Sequence, residues 1–197
     1  MDLNNGKLKK YLTAGIAVIV VVVLGGWLIS AYNSLVNQEE ELKSQWSKVQ
    51  SQYQRRLDLI PNLVSTVKGY ASHESSTLEK VIAARNKAIS TPSDENSSVK
   101  YEQAQSQLTS AIRDINVVIE RYPELKANEN FTALQQQLEG TENRIAVERQ
   151  RYAEIVQSYN QSVRRFPKSI AAKIFSFKAK EYYQAEQAAE SAPKVEF

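Results

Sequence analysis

From Tyr11 to Gln38 the chain contains no Lys, Arg, Asp, Glu or His, and residues 12–32 are almost entirely apolar. As a helix this stretch rises about 30 Å, the thickness of a bilayer's hydrocarbon core. Lipid offers the backbone no water to bond, so a lone segment at that depth must satisfy its own donors and acceptors as a helix. The β-branched run within residues 16–24 is poor for a helix in water, but lipid removes the competing partner. Residues 11–32 are therefore expected to be a transmembrane anchor helix, with Leu12, Ile16, Val20, Leu24 and Trp27 facing lipid.

A cleaved signal peptide has a similar basic head and apolar run, but its cleavage site needs small residues. Here the candidate positions read Leu28-Ile29-Ser30-Ala31, which places bulky side chains where small ones are required. The apolar run is also long for a signal sequence. With no cysteine in the chain, lipid attachment through a thiol is excluded. The expected result is an uncleaved, single-pass anchor.

Lys7, Lys9 and Lys10 precede the span, whereas the twenty residues after it hold only Lys43 and Lys48. Positive residues near a span tend to remain cytoplasmic. Residues 1–10 are thus expected in the cytoplasm, with the body, residues 33–197, outside it.

Three of the 25 Lys and Arg and one of the 22 Asp and Glu lie before residue 33, so the body carries 22 basic against 21 acidic residues. That near-neutral balance supplies no basic field for nucleic acid, which is not expected as a partner. Glycine occurs in the body only at Gly69 and Gly140, and good helix formers dominate. Apolar residues recur at helical spacing: Leu35, Leu42, Trp46, Val49, Tyr53, Leu57, Ile60, Leu63 and Val67 form one stripe. Because they share it, Trp46 and Tyr53 are expected to be buried.

Later runs start at Leu78, at Leu108 and at Phe131, the last continuing to Phe166 before Pro167. The fold class is all-α: a single N-terminal transmembrane helix followed by an elongated antiparallel bundle of long helices. The expected helices cover residues 33–72, 74–90, 92–122, 128–166 and a short C-terminal 168–188. Ser76-Thr77-Leu78-Glu79 reads as a capping box for the second. Thr91-Pro92 reads as the cap and first position of the third.

Pro61 breaks a local rule inside a strong pattern. A proline in a helix interior removes one hydrogen bond and costs about 3 kcal/mol or more. The stripe stays in phase through Leu63 and Val67, so a kink is expected in place of an end and restart. Gly140, inside the fourth helix, is expected to mark close packing or a mild bend, with no ligand role.

The blocks Gln52-Tyr53-Gln54-Arg55-Arg56-Leu57-Asp58-Leu59-Ile60-Pro61-Asn62-Leu63-Val64, Lys68-Gly69-Tyr70-Ala71, Tyr122-Pro123-Glu124-Leu125 and Leu138-Glu139-Gly140-Thr141-Glu142-Asn143-Arg144-Ile145-Ala146 carry a resemblance. With Tyr32-Asn33-Ser34-Leu35-Val36 before them and Arg165-Phe166-Pro167 after, the chain resembles the LemA family over essentially its whole length. The resemblance implies a bacterial protein with an N-terminal anchor and a long antiparallel helical body. It implies no established chemistry. Similar proteins are linked with membrane-associated proteases or phosphatase-like domains, and some with magnetosome membranes.

A search for catalytic groups finds little. His73-Glu74-Ser75-Ser76-Thr77 begins like the zinc motif H-E-x-x-H but ends in threonine, which removes the second metal ligand. His73 is the only histidine, cysteine is absent and there is no glycine-rich phosphate loop. No metal, cofactor or enzymatic activity is expected, and His73 is assigned to a surface or helix end.

The remaining candidates are charged positions beside the apolar stripes. Arg55, Arg56, Asp58, Glu142 and Arg144, with Pro61, either form solvated surface pairs of about 0–1 kcal/mol or bridge helices or subunits through an Arg fork. The aromatic tail, Phe175, Phe177, Tyr182 and Tyr183, is expected to pack as a last amphipathic helix on the bundle, with lipid or a partner as the other surfaces available to it. The functional expectation is a non-enzymatic scaffold or assembly protein of the bacterial plasma membrane, acting through homo-oligomers and envelope protein partners. The alternative is an adaptor or signalling partner of a membrane protease or another membrane-associated system.

Overall fold

The computed structural model describes residues 3–94 and 97–182, with side chains from residue 9 onward. Every regular element among them is an α-helix: α1 Leu3–Tyr70, α2 Ser75–Ser90, α3 Ser98–Ile119, α4 Pro123–Lys126, α5 Glu129–Arg164 and α6 Lys168–Ile174. The chain forms two compact units, one of Met1–Leu42 with Ile155–Glu181 and the other of Lys43–Glu154 with Tyr182–Phe197. Because α1 contributes to both, the expected anchor and first body helix are one element of 68 residues.

The character of α1 changes along its length. Leu12, Ile16, Val20 and Leu24 are exposed, whereas Trp27 is half-buried and Ala31 buried, so protein begins to cover the helix only at the end of the apolar stretch. From Leu35 onward burial becomes one-sided: Leu35, Leu42, Val49, Tyr53, Leu57 and Ile60 are buried while intervening residues face outward. A helix apolar on every face belongs in lipid, and one with a single apolar stripe belongs against other helices. The chain thus has one apolar N-terminal segment long enough to cross a membrane, continuous with an amphipathic helix.

In the second unit, the contacts fix helix directions. Along α1 the α5 partners fall in number as α1 rises: Gln45 with Glu148, Arg56 with Glu142 and Tyr70 with Asn128 just before α5. Those two helices are antiparallel. The same reasoning makes α2 antiparallel to α1, through Trp46 with Ser93 and Leu57 with Arg85. It makes α3 parallel to α1, through Tyr53 with Tyr101 and Arg56 with Thr109. The core between them includes Leu57, Ile60, Leu63, Val67, Val81, Leu108, Ile115, Leu125 and Phe131. Trp46 and Tyr53 are buried as the stripe predicts.

Several local expectations are corrected. α2 begins at Ser75, with Glu74 rather than Ser76 at the cap and no side-chain cap bond. The Glu74 carboxylate is occupied elsewhere, pairing with Arg121 at 3.0 Å beyond the end of α3. Thr91 ends α2 instead of starting α3, its hydroxyl donating to the Lys87 carbonyl at 2.7 Å. α3 starts only at Ser98, because Ser93 is held as an acceptor for the Trp46 indole N–H at 2.8 Å and for the Gln50 amide. Asp94 then accepts from the Ser97 amide at 3.1 Å. The third helix, expected to reach residue 122, ends at Ile119, and Pro123 opens the four-residue α4.

Gly140 is not a close-packing point, since a Cβ built there meets nothing within 4 Å. The C-terminal helix is shorter than expected, ending at Ile174. Glu95 of the expected helix start, and Tyr183 with the remainder of the expected last helix, lie outside the described residues.

In the first unit the backbone leaves α6 through Ser176 at φ 60°, with the Phe177 amide donating to the Ala172 carbonyl at 2.9 Å. This is a helix end with a left-handed residue where glycine is usual. The turn sets both Phe175 and Phe177 edge-on to Tyr32, at 4.7 and 5.8 Å between ring centres.

Candidate functional site

The centre of the second unit is a buried cation. Arg56 lies three residues after Tyr53 and four before Ile60, on the apolar stripe itself, and is only 2% exposed. Its Nη1 donates to Thr109 Oγ1 at 2.8 Å and to Glu142 Oε1 at 2.5 Å. Its Nη2 donates to the Gln105 carbonyl at 3.1 Å and to Gln105 Oε1. The guanidinium also lies 5.3 Å from the centre of the Tyr53 ring. One side chain on α1 thereby fastens α3 and α5. A charge removed from water needs this degree of pairing, because desolvation costs several kcal/mol per ion. Two donors remain unmatched, Arg56 Nε and Gln105 Nε2.

An aromatic layer adjoins it. Trp46 packs on Tyr152 at 5.1 Å and on Tyr101 at 6.4 Å, and Tyr53 meets Tyr101 edge-on at 5.5 Å. Burial pushes the Tyr53 and Tyr101 hydroxyls above their ordinary range. Burial also pushes the Glu102 carboxyl up to about 7, with the Arg149 charge opposing that rise. Glu102 is therefore poised to exchange a proton near neutrality. Among the described residues no cluster of His, Cys, Asp and Glu gathers to hold a metal ion.

A second fastening sits one turn further on. Pro61 lies inside α1, which continues through it, on an exposed position. Having no N–H, it cannot bond the Leu57 carbonyl four residues back. That carbonyl instead accepts from Arg85 Nε of α2 at 2.9 Å. The defect in one helix is filled by a side chain from its neighbour.

The structure thus separates the charged positions singled out from sequence. Arg56 and Glu142 meet. Arg55 and Arg144 are exposed and line a shallow groove beside Gly140, and Asp58 is exposed and accepts from Gln54 at 2.8 Å on its own helix. His73 is exposed in the turn between α1 and α2. Arg85, Gln105 and Glu102 were not singled out. Arg85 does fall on the apolar spacing of α2, between Val81 and Ile89, which marks an inward-reaching arginine. Glu142 also borders an open cleft of about 510 Å³ with an apolar floor of Leu63, Ile112, Phe131 and Leu138.

The LemA family model matches residues 45–197, a stretch that contains the Arg56 centre, the Pro61–Arg85 fastening and the cleft. The chain belongs to the LemA family. Within it, this LemA-family chain is similar to Magnetosome protein MamQ 2 of Paramagnetospirillum magneticum, with 24% identity over 89% of this chain and 73% of that protein. It is similar to Protein LemA of Metamycoplasma hominis, with 26% identity over 68% of this chain and 60% of that protein. It is also similar to Magnetosome protein MamQ of Magnetospirillum gryphiswaldense, with 22% identity over 91% and 74%.

Proposed function

We propose that this LemA-family protein is a non-enzymatic, membrane-anchored helical scaffold of the bacterial plasma membrane, working through self-association and protein partners, with its body on the extracytoplasmic side. The observation that carries the reading is the continuity of α1, which joins a uniformly apolar segment to the helix bearing the buried Arg56. Anchoring confines every copy to two dimensions, and tethering lets weak lateral contacts act at high effective concentration. Surfaces for such contacts are present. Ile82 and Ile89 lie seven residues apart on α2 and both are exposed, as is Val117 on α3. In the span, Gly26 and Ser30 stand four apart, a spacing that favours close helix pairing in lipid. Relatives named as magnetosome proteins support a membrane-associated role.

Full-length protein cross-linked in native membranes should give homo-oligomers, while the body lacking residues 1–32 should scatter light as a monomer or a weak associate. A strictly monomeric full-length protein at native density would overturn the scaffold reading. The lysine asymmetry across the span supports the orientation, and a cysteine placed at Ser90 should react with an impermeant thiol reagent in intact spheroplasts. Labelling only after lysis would reverse it.

A second reading, an adaptor for a membrane protease or another envelope protein, is favoured by the cleft. Its apolar floor at Phe131 and its Glu142 edge suit a partner's side chain, and proximity labelling in the native membrane would identify that partner.

A further inference from the structure

The first unit packs its last helix the wrong way round for water. α6 turns its two smallest residues inward: Ala171 and Ala172 are buried. Its large apolar residues face outward, with Ile170 46% and Ile174 58% exposed, flanked by Phe166 at 76% and Phe175 at 40%. Phe166, Ile170 and Ile174 follow one another at four-residue spacing. A soluble helix places its large apolar side chains against protein, and clustered exposure of this kind marks a contact surface.

The depth of this surface along the chain is fixed by its contacts with α1. Phe175 and Phe177 lean on Tyr32, the last residue of the apolar span. Lys168 Nζ donates to Ser34 Oγ at 2.9 Å, and Lys180 Nζ pairs with Glu39 at 3.4 Å. Asn160 and the Lys180 backbone exchange two hydrogen bonds of 2.8 Å. The segment after α5 is therefore held against α1 from Tyr32 to Glu39, at the end of the span.

Charge completes the pattern. Residues 155–182 carry Arg164, Arg165, Lys168, Lys173, Lys178 and Lys180 against Glu181 alone. Exposed aliphatic and aromatic side chains flanked by basic residues, at the level where a span leaves the hydrocarbon, are the composition of an interfacial membrane element.

We infer that α6 and its flanks form a lipid-binding collar, seating Phe166, Ile170, Ile174 and Phe175 in the headgroup zone of an anionic bilayer beside the mouth of the span. The exposed Arg164, Arg165 and Lys173 contact lipid phosphates, while Lys168 and Lys180 hold the segment to α1 and Tyr32 supports the collar from behind. The inference rests on residues 11–32 spanning the bilayer, so its test reads both.

The chain has no cysteine, which allows single labels without background. Full-length protein carrying an environment-sensitive fluorophore at Val20→Cys, Ile170→Cys or Ile174→Cys would be reconstituted in phosphatidylcholine vesicles containing a minority of phosphatidylglycerol. Lipids with a doxyl quencher near the headgroup or near the chain end report depth, and aqueous iodide reports water. The expected result is quenching of Val20 by the deep lipid probe. Ile170 and Ile174 should be blue-shifted and quenched by the shallow one, with little loss to iodide.

An unquenched Val20 label overturns the span itself. A quenched Val20 with iodide-accessible 170 and 174 labels overturns the collar alone. Shielding of those labels from both quenchers means that protein, a second copy included, covers the face, and this also overturns it. Arg164→Gln with Arg165→Gln and Lys173→Gln should lower shallow quenching in the anionic vesicles to its level in pure phosphatidylcholine, and no change would overturn the electrostatic half.

Discussion

The pairing of Pro61 with Arg85 predicts an unusual coupling between two residues on different helices. Replacing Arg85 with Met removes a charge-assisted hydrogen bond to the Leu57 carbonyl, a bond of about 1.5–3 kcal/mol, and leaves that carbonyl without a donor. In a chain of this size, 1 kcal/mol moves the melting point by about 2–4 °C, so Arg85→Met should lower it by about 3–12 °C. Replacing Pro61 with Ala restores the missing amide donor and removes a helix-interior proline, worth up to about 3 kcal/mol. In that background the Leu57 carbonyl keeps its helical partner when Arg85 is lost. Arg85→Met should then cost about 1–2 kcal/mol less than in the natural sequence, well above the few tenths seen for independent sites. The cycle is measured on the full-length protein in detergent micelles by urea unfolding followed with far-ultraviolet circular dichroism. An Arg85→Met penalty that is equal in both backgrounds would refute the idea that the arginine fills the proline's gap.

Three further outcomes follow from the same geometry. Glu142→Gln removes the counter-charge of the buried Arg56 from a carboxylate that is itself 41% exposed and should cost about 1.5–3 kcal/mol, and adding Arg56→Met should restore part of that loss, as urea midpoints of the single and double variants would show. Glu102, with a folded pKa of about 7 against an ordinary 4.5, binds its proton more tightly when folded, so the stability it contributes is complete below about pH 4.5 and lost as pH rises through 7. Glu102→Gln should therefore be more stable than the natural protein at pH 8, by about 1–3 kcal/mol, with the difference shrinking toward pH 4.5 in urea midpoints taken across that range. Gly140→Ala should raise stability by about 0.5–1 kcal/mol in thermal melts, because the added methyl meets nothing and the unfolded chain loses freedom.

What sequence revealed and what it hid divide along physical lines. Apolar spacing depends only on neighbours along one helix, so the span, the stripe through Trp46 and Tyr53 and the extent of α5 were legible. It also held the clue that Arg56, and not Arg55, points inward, since 53, 56, 57 and 60 share a face. Cap assignments failed where a residue's side chain or backbone was claimed by a distant helix: Glu74 by Arg121, and Ser93 by Trp46. The donor that fills the Pro61 gap lies 24 residues away on α2, beyond any local rule. The raised Glu102 carboxyl comes from burial in the folded unit, while the sequence shows only an acid beside a tyrosine.

The composition of the first unit sets a timetable for its assembly. Its two parts, Met1–Leu42 and Ile155–Glu181, are separated by the 112 residues of Lys43–Glu154. A ribosome working at about 5–20 residues per second takes roughly 6–22 s to cover that gap. During this interval Ala31 and Leu35, fully enclosed in the finished unit, stand uncovered beside the newly inserted span. α1 and α2 can meanwhile close on one another, since Trp46, Leu57, Arg85 and Ser93 all emerge before the end of that gap. Synthesis therefore closes the first unit only after that interval, and a chain truncated before α6 would leave its ribosome with Tyr32 bare of both phenylalanine rings.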